Sequence, residues 1–195
     1  DAACDHVHNL RVEYARRQKM QHVLSVRIDD RVSGIRTALK SDDGIRLAGI
    51  YDIDPERCKF AESEGIHAYS SRAELLADPE IELVVVATPN DVHKEIALDA
   101  FAAGKNVISE KPVAMNSAEL EEMVAAANRA GKLFTVHQNR RWDEDYLTVK
   151  KMVDSHELGN VFRIESRVMG SRGIPSGWRE EKEHGGGMLL DWGVH

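Results

Sequence analysis

The regular alternation of short apolar runs with helix-forming segments between residues 47 and 136 constrains the fold of this chain more than any other feature. The segment 81–88 contains the run Leu83-Val84-Val85-Val86-Ala87, which is apolar throughout, as expected for a strand covered on both faces. Further strands are predicted at 47–51, 106–109 and 133–136, and helices over 55–64, 71–77, 91–103 and 116–130. Because strands separated by helices pair in parallel through crossovers, the sequence predicts an α/β fold with a parallel sheet and helices on both faces.

Two of the predicted helices carry clear signals at their ends. Pro55 stands in the first turn of one helix and Gly65 follows it, which is the usual asymmetry of helix termini. Asn116 precedes another helix, with Glu119 placed for a capping box and Gly131 as the stop. These residues therefore predict where both helices begin and end.

Polar segments directly follow three of the predicted strands. Asp52 follows the first, Thr88-Pro89-Asn90 the second and Glu110-Lys111-Pro112 the third. Ligands of parallel sheets bind outside the carboxyl ends of the strands, so these residues are expected to lie along one edge and to form a site. A lysine after a buried strand is costly unless it is used or paired, which singles out Lys111; the alternative is a surface lysine after an edge strand.

Composition excludes several classes of protein. The 195 residues carry 26 Lys and Arg against 33 Asp and Glu, a net charge of -7, so nothing favours nucleic acid or anionic lipid as a partner. No apolar run approaches the roughly 18 residues of a membrane span, and the N-terminus lacks the apolar stretch of a signal peptide. Cys4 and Cys58 form neither a disulfide framework nor a metal spacing. We therefore expect a cytoplasmic globular protein without a metal site.

The pattern of the chain changes after about residue 138. A helix is predicted over 143–155, and residues 161–169 then alternate between polar and apolar, which is typical of an antiparallel sheet with one wet face. A glycine-rich loop over 170–177 and a helical start over 188–195 follow. This change predicts the start of a second, α+β domain.

The first part of the chain does not follow the strand-and-helix scheme. Residues 10–21 are compatible with a basic amphipathic helix or with a disordered extension. A dinucleotide fold needs a glycine loop about 20 residues before its acidic residue, and counting back from Asp52 leads to about Val32. Only Gly34 is present there, no G-x-G-x-x-G motif occurs, and Asp29 and Asp30 would oppose a dianionic ligand.

Three motifs in this order resemble the glucose–fructose oxidoreductase / inositol dehydrogenase / MocA (Gfo/Idh/MocA) family. They are Ala87-Thr88-Pro89-Asn90 with His93, Gly104-Lys105-Asn106-Val107 leading into Glu110-Lys111-Pro112, and Gly186-Gly187 followed by Asp191 and His195. The resemblance implies a Rossmann-type domain followed by a domain built on an open antiparallel sheet. It also implies hydride transfer between a nicotinamide cofactor and a carbinol carbon of a sugar, polyol or related small molecule, and a homo-oligomer in the full-length form.

On this basis we expect three parts: an N-terminal extension of unclear role over 1–24, a Rossmann-like NAD(P)-binding domain over 25–137, and a partial C-terminal substrate and oligomerisation domain over 138–195. Asp52 is expected to bind the adenosine ribose and to favour NAD over NADP, because its carboxylate would repel a 2′-phosphate and Ile53, rather than an arginine, follows it. The alternative for Asp52 is an N-cap, which Asp54 could supply equally well. The expected cofactor contacts are Asp52, Thr88, Pro89, Asn90, His93, Glu110, Lys111 and Arg140.

The resemblance implies that Lys111, Asp191 and His195 are the catalytic residues, and Arg179 is added as a further substrate contact. Because Asp191 and His195 are four residues apart, a helix would put them on one face, where the carboxylate would orient the imidazole and raise its basicity. His195 is then the acid/base, Asp191 its positioner and Lys111 the electrostatic anchor, oriented by Glu110. An incidental helical pair, and interface packing for Arg140 and Arg179, are the alternatives.

Two functions of different classes remain open from the sequence. The first is an NAD(P)-dependent oxidoreductase of this family, with NADP the less favoured cofactor. The second is a non-catalytic fragment or a divergent member that keeps the scaffold and has lost strong dinucleotide binding, as the missing glycine motif suggests.

Overall fold

The computed structural model, which describes residues 22–25, 46–167, 169 and 177–195, contains one sheet of five parallel strands. The strands are β1 (His22–Ser25), β2 (Arg46–Ile50), β3 (Leu83–Val86), β4 (Asn106–Ser109) and β5 (Phe134–Val136). Their order in the sheet is β2-β1-β3-β4-β5, and every neighbouring pair is parallel. The order reverses between β1 and β3, as in other doubly wound sheets. The predicted α/β fold with a parallel sheet is confirmed.

Helices connect the strands and continue the chain beyond β5. They are α1 (Pro55–Ser63), α2 (Arg72–Ala77), α3 (His93–Ala102), α4 (Ser117–Ala130), α5 (Glu144–Asp154) and α6 (Met188–Asp191). The predicted cap of α4 is confirmed, since the Glu119 amide donates to Asn116 Oδ1 at 3.0 Å and Gly131 ends the helix in the left-handed region. No helix among the described residues is long and apolar enough to cross a bilayer.

The core lies between β3 and the two helices α3 and α4. All four residues of β3 are buried, which explains why this strand has no polar face. Ile96 and Phe101 of α3 and Met123 of α4 are in the same apolar cluster. This packing holds β3 and β4 rigidly and so fixes the segments that follow their carboxyl ends.

The first strand, β1, is not predicted by the sequence pattern. β1 begins at His22, within the N-terminal extension predicted over 1–24, and it lies between β2 and β3. Its short run, His22-Val23-Leu24-Ser25, follows a polar segment and gives little periodic signal. The helix predicted over 10–21, and Gly34, Asp29 and Asp30 of the predicted phosphate loop, lie outside the described residues.

The antiparallel strand predicted over 161–169 is wrong for the residues that the structure describes. Residues 161–167 and 169 form no bridge with another described segment, and Phe162 and Ile164 are 98% and 67% exposed. Alternation of polar and apolar residues produces a strand only when another strand supplies hydrogen-bond partners. The neighbouring α5 likewise has no buried residue.

A buried hydrogen bond between Tyr69 and Asp78 should contribute to stability. Tyr69 is 7% exposed, and its hydroxyl donates to Asp78 Oδ2 at 2.5 Å. Tyr69→Phe is therefore expected to lower the free energy of unfolding by about 1 kcal/mol in urea titrations at neutral pH.

The same tyrosine gives the chain a predicted alkaline transition. Burial, together with the hydrogen bond and the charge of Asp78, raises the pKa of Tyr69 from 10.0 to about 12. The stabilisation is complete below pH 10 and is lost as the pH rises towards 12, because the unfolded chain releases this proton first. Tyr69→Phe should flatten this part of the stability profile, and an unchanged slope would contradict the assignment.

Candidate active site

The carboxyl ends of β3, β4 and β5 lie level with one another, and the segments after them form the floor of the site. Val86 pairs with Ser109, and Ser109 with Val136. The ladder continues by one residue, because the Glu110 amide donates to Val86 O and the His137 amide to Ser109 O, both at 2.8 Å. The polar residues that follow the three strands therefore share one edge, as the sequence predicts for β3 and β4.

Lys111 and Asp191 form a buried ion pair across this edge. Lys111 Nζ donates to Asp191 Oδ1 at 2.7 Å and to the Asp191 backbone oxygen at 2.6 Å. The residues are 9% and 7% exposed. Arg179 adds a second cation, with its Nε 3.8 Å from the other carboxylate oxygen. The structure thus joins three predicted site residues that are far apart in the sequence, and places two cations around one carboxylate.

His195 approaches the same cluster by a different route from the one predicted. α6 ends at Asp191, and the His195 amide donates to Trp192 O at 3.1 Å, so the two predicted partners do not share a helical face. The Asp191 carboxylate pairs with Lys111 instead of orienting the imidazole. Partial burial, then the charges of Lys111 and Arg140, lower the pKa of His195, which corrects the expectation of raised basicity. Its ring is therefore neutral at neutral pH and able to accept a proton.

Arg140 connects the segment after β5 with the end of the chain. Its guanidinium carbon lies 4.8 Å from the centre of the Trp192 ring, and its Nη1 donates to Asp143 at 3.1 Å. Its Nε is buried and has no hydrogen-bond partner in the part of the chain that the structure describes. Arg140 therefore packs against the C-terminal segment, which was the alternative to cofactor binding, and still has one unsatisfied donor.

Glu110 pairs with a histidine that the sequence analysis missed. His137, the first residue after β5, has its Nδ1 2.7 Å from Glu110 Oε1, and both side chains are 15% exposed. The role of Glu110 in orienting Lys111 stays a prediction, and the contact with His137 is an addition to it. The position of His137 directly after a strand, level with Glu110, is the signal that could have found it.

The environments of His93 and Asn90 differ from those expected of cofactor contacts. His93 is fully buried, and its ring nitrogens lie 2.9 Å from the backbone oxygens of Pro112 and Thr88. Asn90 is 2% exposed and donates from its amide to Gly185 O at 3.0 Å. Both side chains bind backbone carbonyls of neighbouring segments. A histidine at the start of a helix, or an asparagine in the turn before it, gives no sequence signal that separates this role from ligand binding.

Asp52 follows β2 after one intervening residue, Tyr51, and its side chain is 6% exposed. Its Oδ1 accepts the Asp54 amide at 2.9 Å, and its Oδ2 lies 3.6 Å from Arg57 Nη1. The N-cap of α1 is Asp54, which accepts the Glu56 amide at 3.0 Å. The capping role that was the alternative for Asp52 is therefore filled by its neighbour.

Buried polar atoms on this edge suit a polar ligand. Among the described residues, Thr88 Oγ1 in the turn after β3 and Arg140 Nε in the segment after β5 are buried and find no hydrogen-bond partner. Such atoms are uncommon because each costs free energy unless a ligand or water satisfies it. Pro89, half-buried in the same turn, precedes a short 3-10 turn over Asn90–Val92. The donor set fits the hydroxyl and amide groups of a dinucleotide.

Comparison with known protein families gives two matches along the chain. Residues 33–138 match the family model "Oxidoreductase family, NAD-binding Rossmann fold" of Gfo/Idh/MocA proteins. Residues 146–195 match the model of the Gfo/Idh/MocA C-terminal domain. The first match alone covers more than half of the chain.

Individual relatives agree with this result. The chain is 44% identical over 132 residues to an uncharacterized oxidoreductase of Schizosaccharomyces pombe, and 36% identical over 137 residues to the scyllo-inositol 2-dehydrogenase (NADP(+)) IolW of Bacillus subtilis. These matches cover 67% and 70% of this chain but only 36% and 37% of the relatives. The crystal structure of an NAD-binding protein from Listeria innocua superposes with a TM-score of 0.87 at 44% identity, over 90% of this chain and 52% of the other.

Proposed function

Because the chain belongs to the Gfo/Idh/MocA family of oxidoreductases, we propose that it takes part in hydride transfer between a nicotinamide cofactor and a carbinol carbon of a sugar, polyol or related molecule. The observation that carries this proposal is the buried Lys111–Asp191 pair at the carboxyl edge of the sheet. An ion pair in this position is expensive to bury and contributes little net stability, so a role at a reacting centre accounts for it better than packing does.

The proposed cofactor supplies a nicotinamide ring that accepts or donates a hydride, and the chain supplies the other groups. The Lys111 ammonium, held by Asp191, would bind the substrate hydroxyl and stabilise negative charge on its oxygen. The neutral His195 ring would accept the hydroxyl proton as the carbinol is oxidised and return it in the reverse direction. Arg179, on the far oxygen of Asp191, would contact the remaining hydroxyls of the substrate.

The proposed cofactor contacts run along the same edge. Thr88 and Arg140 each offer a buried polar atom without a partner, and Asp52 stands after β2, where the ribose of a dinucleotide binds in this fold. Glu110 is held by His137 close to Lys111, and Pro89 shapes the turn that carries Thr88. We assign His93 and Asn90 no direct contact with the cofactor, since both side chains are bonded to backbone oxygens.

We propose NAD as the favoured cofactor, with NADP the weaker one, because Asp52 would repel a 2′-phosphate. The IolW relative is named as an NADP-linked enzyme, so the preference of this chain needs its own test. Its relatives' names support a small polyol or sugar as substrate. A cytoplasmic location and a homo-oligomeric full-length form belong to the same proposal.

The first test separates this function from that of a divergent member without dinucleotide binding. The 195-residue chain should bind NADH saturably in the micromolar range when its fluorescence is titrated, because the edge offers unsatisfied polar atoms to the cofactor. A linear, unsaturable response would favour the non-binding alternative. Circular dichroism of the same sample would show that the chain is folded.

Substitution of Asp52 tests the cofactor preference. Asp52→Ser is expected to improve the ratio of NADPH to NADH affinity by about tenfold, because it removes one negative charge next to the 2′-phosphate. Asp54→Ser is the matched control, since serine still caps α1 and the change likewise removes one carboxylate that pairs with Arg57. An equal shift in both variants would contradict the role of Asp52.

A further inference from the structure

We propose that His93 is a positioning residue, which fixes the catalytic Lys111 by tying the segment after β4 to the turn after β3. This inference rests on the proposed function of Lys111, but the contacts that carry it do not depend on a bound cofactor. The sequence predicts His93 as a cofactor contact. In the role proposed here it acts on the site through Lys111.

His93 joins the turn after β3 to the segment after β4 through its side chain. The ring begins α3, and its Nδ1 lies 2.9 Å from Pro112 O while its Nε2 lies 2.9 Å from Thr88 O. Pro112 directly follows Lys111, and Thr88 lies in the turn proposed to contact the cofactor. One side chain therefore spans the floor of the site between the turn that carries Thr88 and the segment that carries Lys111.

The chemistry of these contacts favours a fixed neutral ring. Carbonyl oxygens only accept, so each nitrogen must carry a proton to form a hydrogen bond with its partner. Burial lowers the pKa of His93, so the neutral ring carries one N–H and donates to one of these two carbonyl oxygens, according to its tautomer. Ser109 Oγ lies 3.4 Å from Nδ1 and donates to Glu110 O, so it supports the same segment. Removing the ring would leave the carbonyl that accepts this hydrogen bond without its donor and would remove the packing of the ring between the two segments.

A second hydrogen bond joins the turn after β3 to the C-terminal segment of the chain. Asn90 donates to Gly185 O from the same turn, and Gly185 begins the segment that leads to Asp191. The turn after β3 is thereby linked to Pro112 through His93 and to the C-terminal segment through Asn90. Lys111 and Asp191, the two partners of the ion pair, are each held by one of these links.

The test measures the accessibility of the Lys111 amine with a reagent that acylates lysines, mapped by mass spectrometry on the 195-residue chain. Lys105 is an internal control, because it is also buried and donates to Asp78 O away from the site. His93→Phe should raise the labelling rate of Lys111 by about tenfold, as both carbonyl contacts are lost, and leave Lys105 unchanged. Equal labelling of Lys111 in His93→Phe and wild type would overturn the proposal.

Two conservative variants separate positioning from general stability. His93→Asn places an amide near the position of Nδ1 and keeps the link to Pro112, whereas His93→Gln places one near Nε2 and keeps the link to Thr88. Lys111 labelling should therefore be close to wild type in His93→Asn and intermediate in His93→Gln. The same rate in both variants would contradict an action through Pro112.

The matched control for lost packing is Ile96→Ala, on the same helix and 5% exposed. It should lower the melting temperature without accelerating Lys111 labelling at temperatures well below the transition. If it exposes Lys111 as much as His93→Phe does, the effect of His93 is only structural and the proposal fails. Absence of NADH binding by wild type, with this labelling pattern intact, would overturn the proposed function alone.

Discussion

Asp191→Ala is expected to lower the free energy of unfolding by about 3–5 kcal/mol, because it leaves the Lys111 ammonium buried without its counter-charge. The Lys111 side chain is 7% exposed, so water cannot replace the lost carboxylate without a rearrangement of the segment. The Asp191 backbone oxygen, 2.6 Å from Nζ, remains but carries no net charge. Urea titration at neutral pH measures the change.

Two further variants control this result. Asp154→Ala breaks the exposed Lys150–Asp154 pair one helical turn apart on α5 and should leave stability within error. Lys111→Met combined with Asp191→Leu removes both charges and should recover most of the loss, since an apolar pair can replace a buried ion pair. A small effect of Asp191→Ala, comparable with that of Asp154→Ala, would show that the pair is hydrated and would remove the argument for a built catalytic site.

Gly186→Ala is expected to be the second most damaging change, at about 1–3 kcal/mol, because a methyl group has no room there. A Cβ at this position would lie 2.4 Å from Arg179 O and 2.8 Å from Glu181 O, both backbone atoms. The segment that carries Arg179 would have to move away from the one that leads to Asp191. Close backbone approach thus explains Gly186, whereas Gly187 has a φ of 109°, which favours glycine.

The change at Gly186 should also be visible at the site. If the segment moves, Lys111 should be labelled faster in Gly186→Ala, as its contact with Asp191 weakens. Gly131→Ala is the matched control: its φ of 63° strains an alanine, but no atom lies within 4 Å of a Cβ there. It should lower stability without affecting Lys111. A Gly186→Ala chain as stable as wild type would contradict the close packing of this segment.

Much of the fold could be predicted because its signals are local. The continuous apolar run of β3 and the caps of α4 identify elements without any knowledge of the rest of the chain. β1 was missed because four residues without a flanking helix signal look like a loop. The strand predicted over 161–169 failed because an alternating pattern says nothing about whether a partner strand is present.

The site was partly predictable for a similar reason. Sheet topology brings together residues that follow strands, so Lys111 and Glu110 could be placed from sequence. The partner of Lys111 could not be predicted in this way. Asp191 lies 80 residues from Lys111 and meets it only through the C-terminal segment. The helical spacing of Asp191 and His195 suggested a pair, but α6 ends too early to form it. His93, which we expected to contact a ligand, proved to be buried against the backbone.

Hydride transfer by the chain itself is the most direct test of the central claim. Wild-type protein, NAD⁺ and a panel of polyols and sugars would be incubated together, and NADH formation followed by its absorbance. We expect turnover with at least one compound, and a loss of about 10²–10³-fold in Lys111→Met, which lacks the charge that stabilises the substrate oxygen. A Lys111→Met variant that is folded, binds NADH and reacts at the wild-type rate would contradict the catalytic role of the Lys111–Asp191 pair.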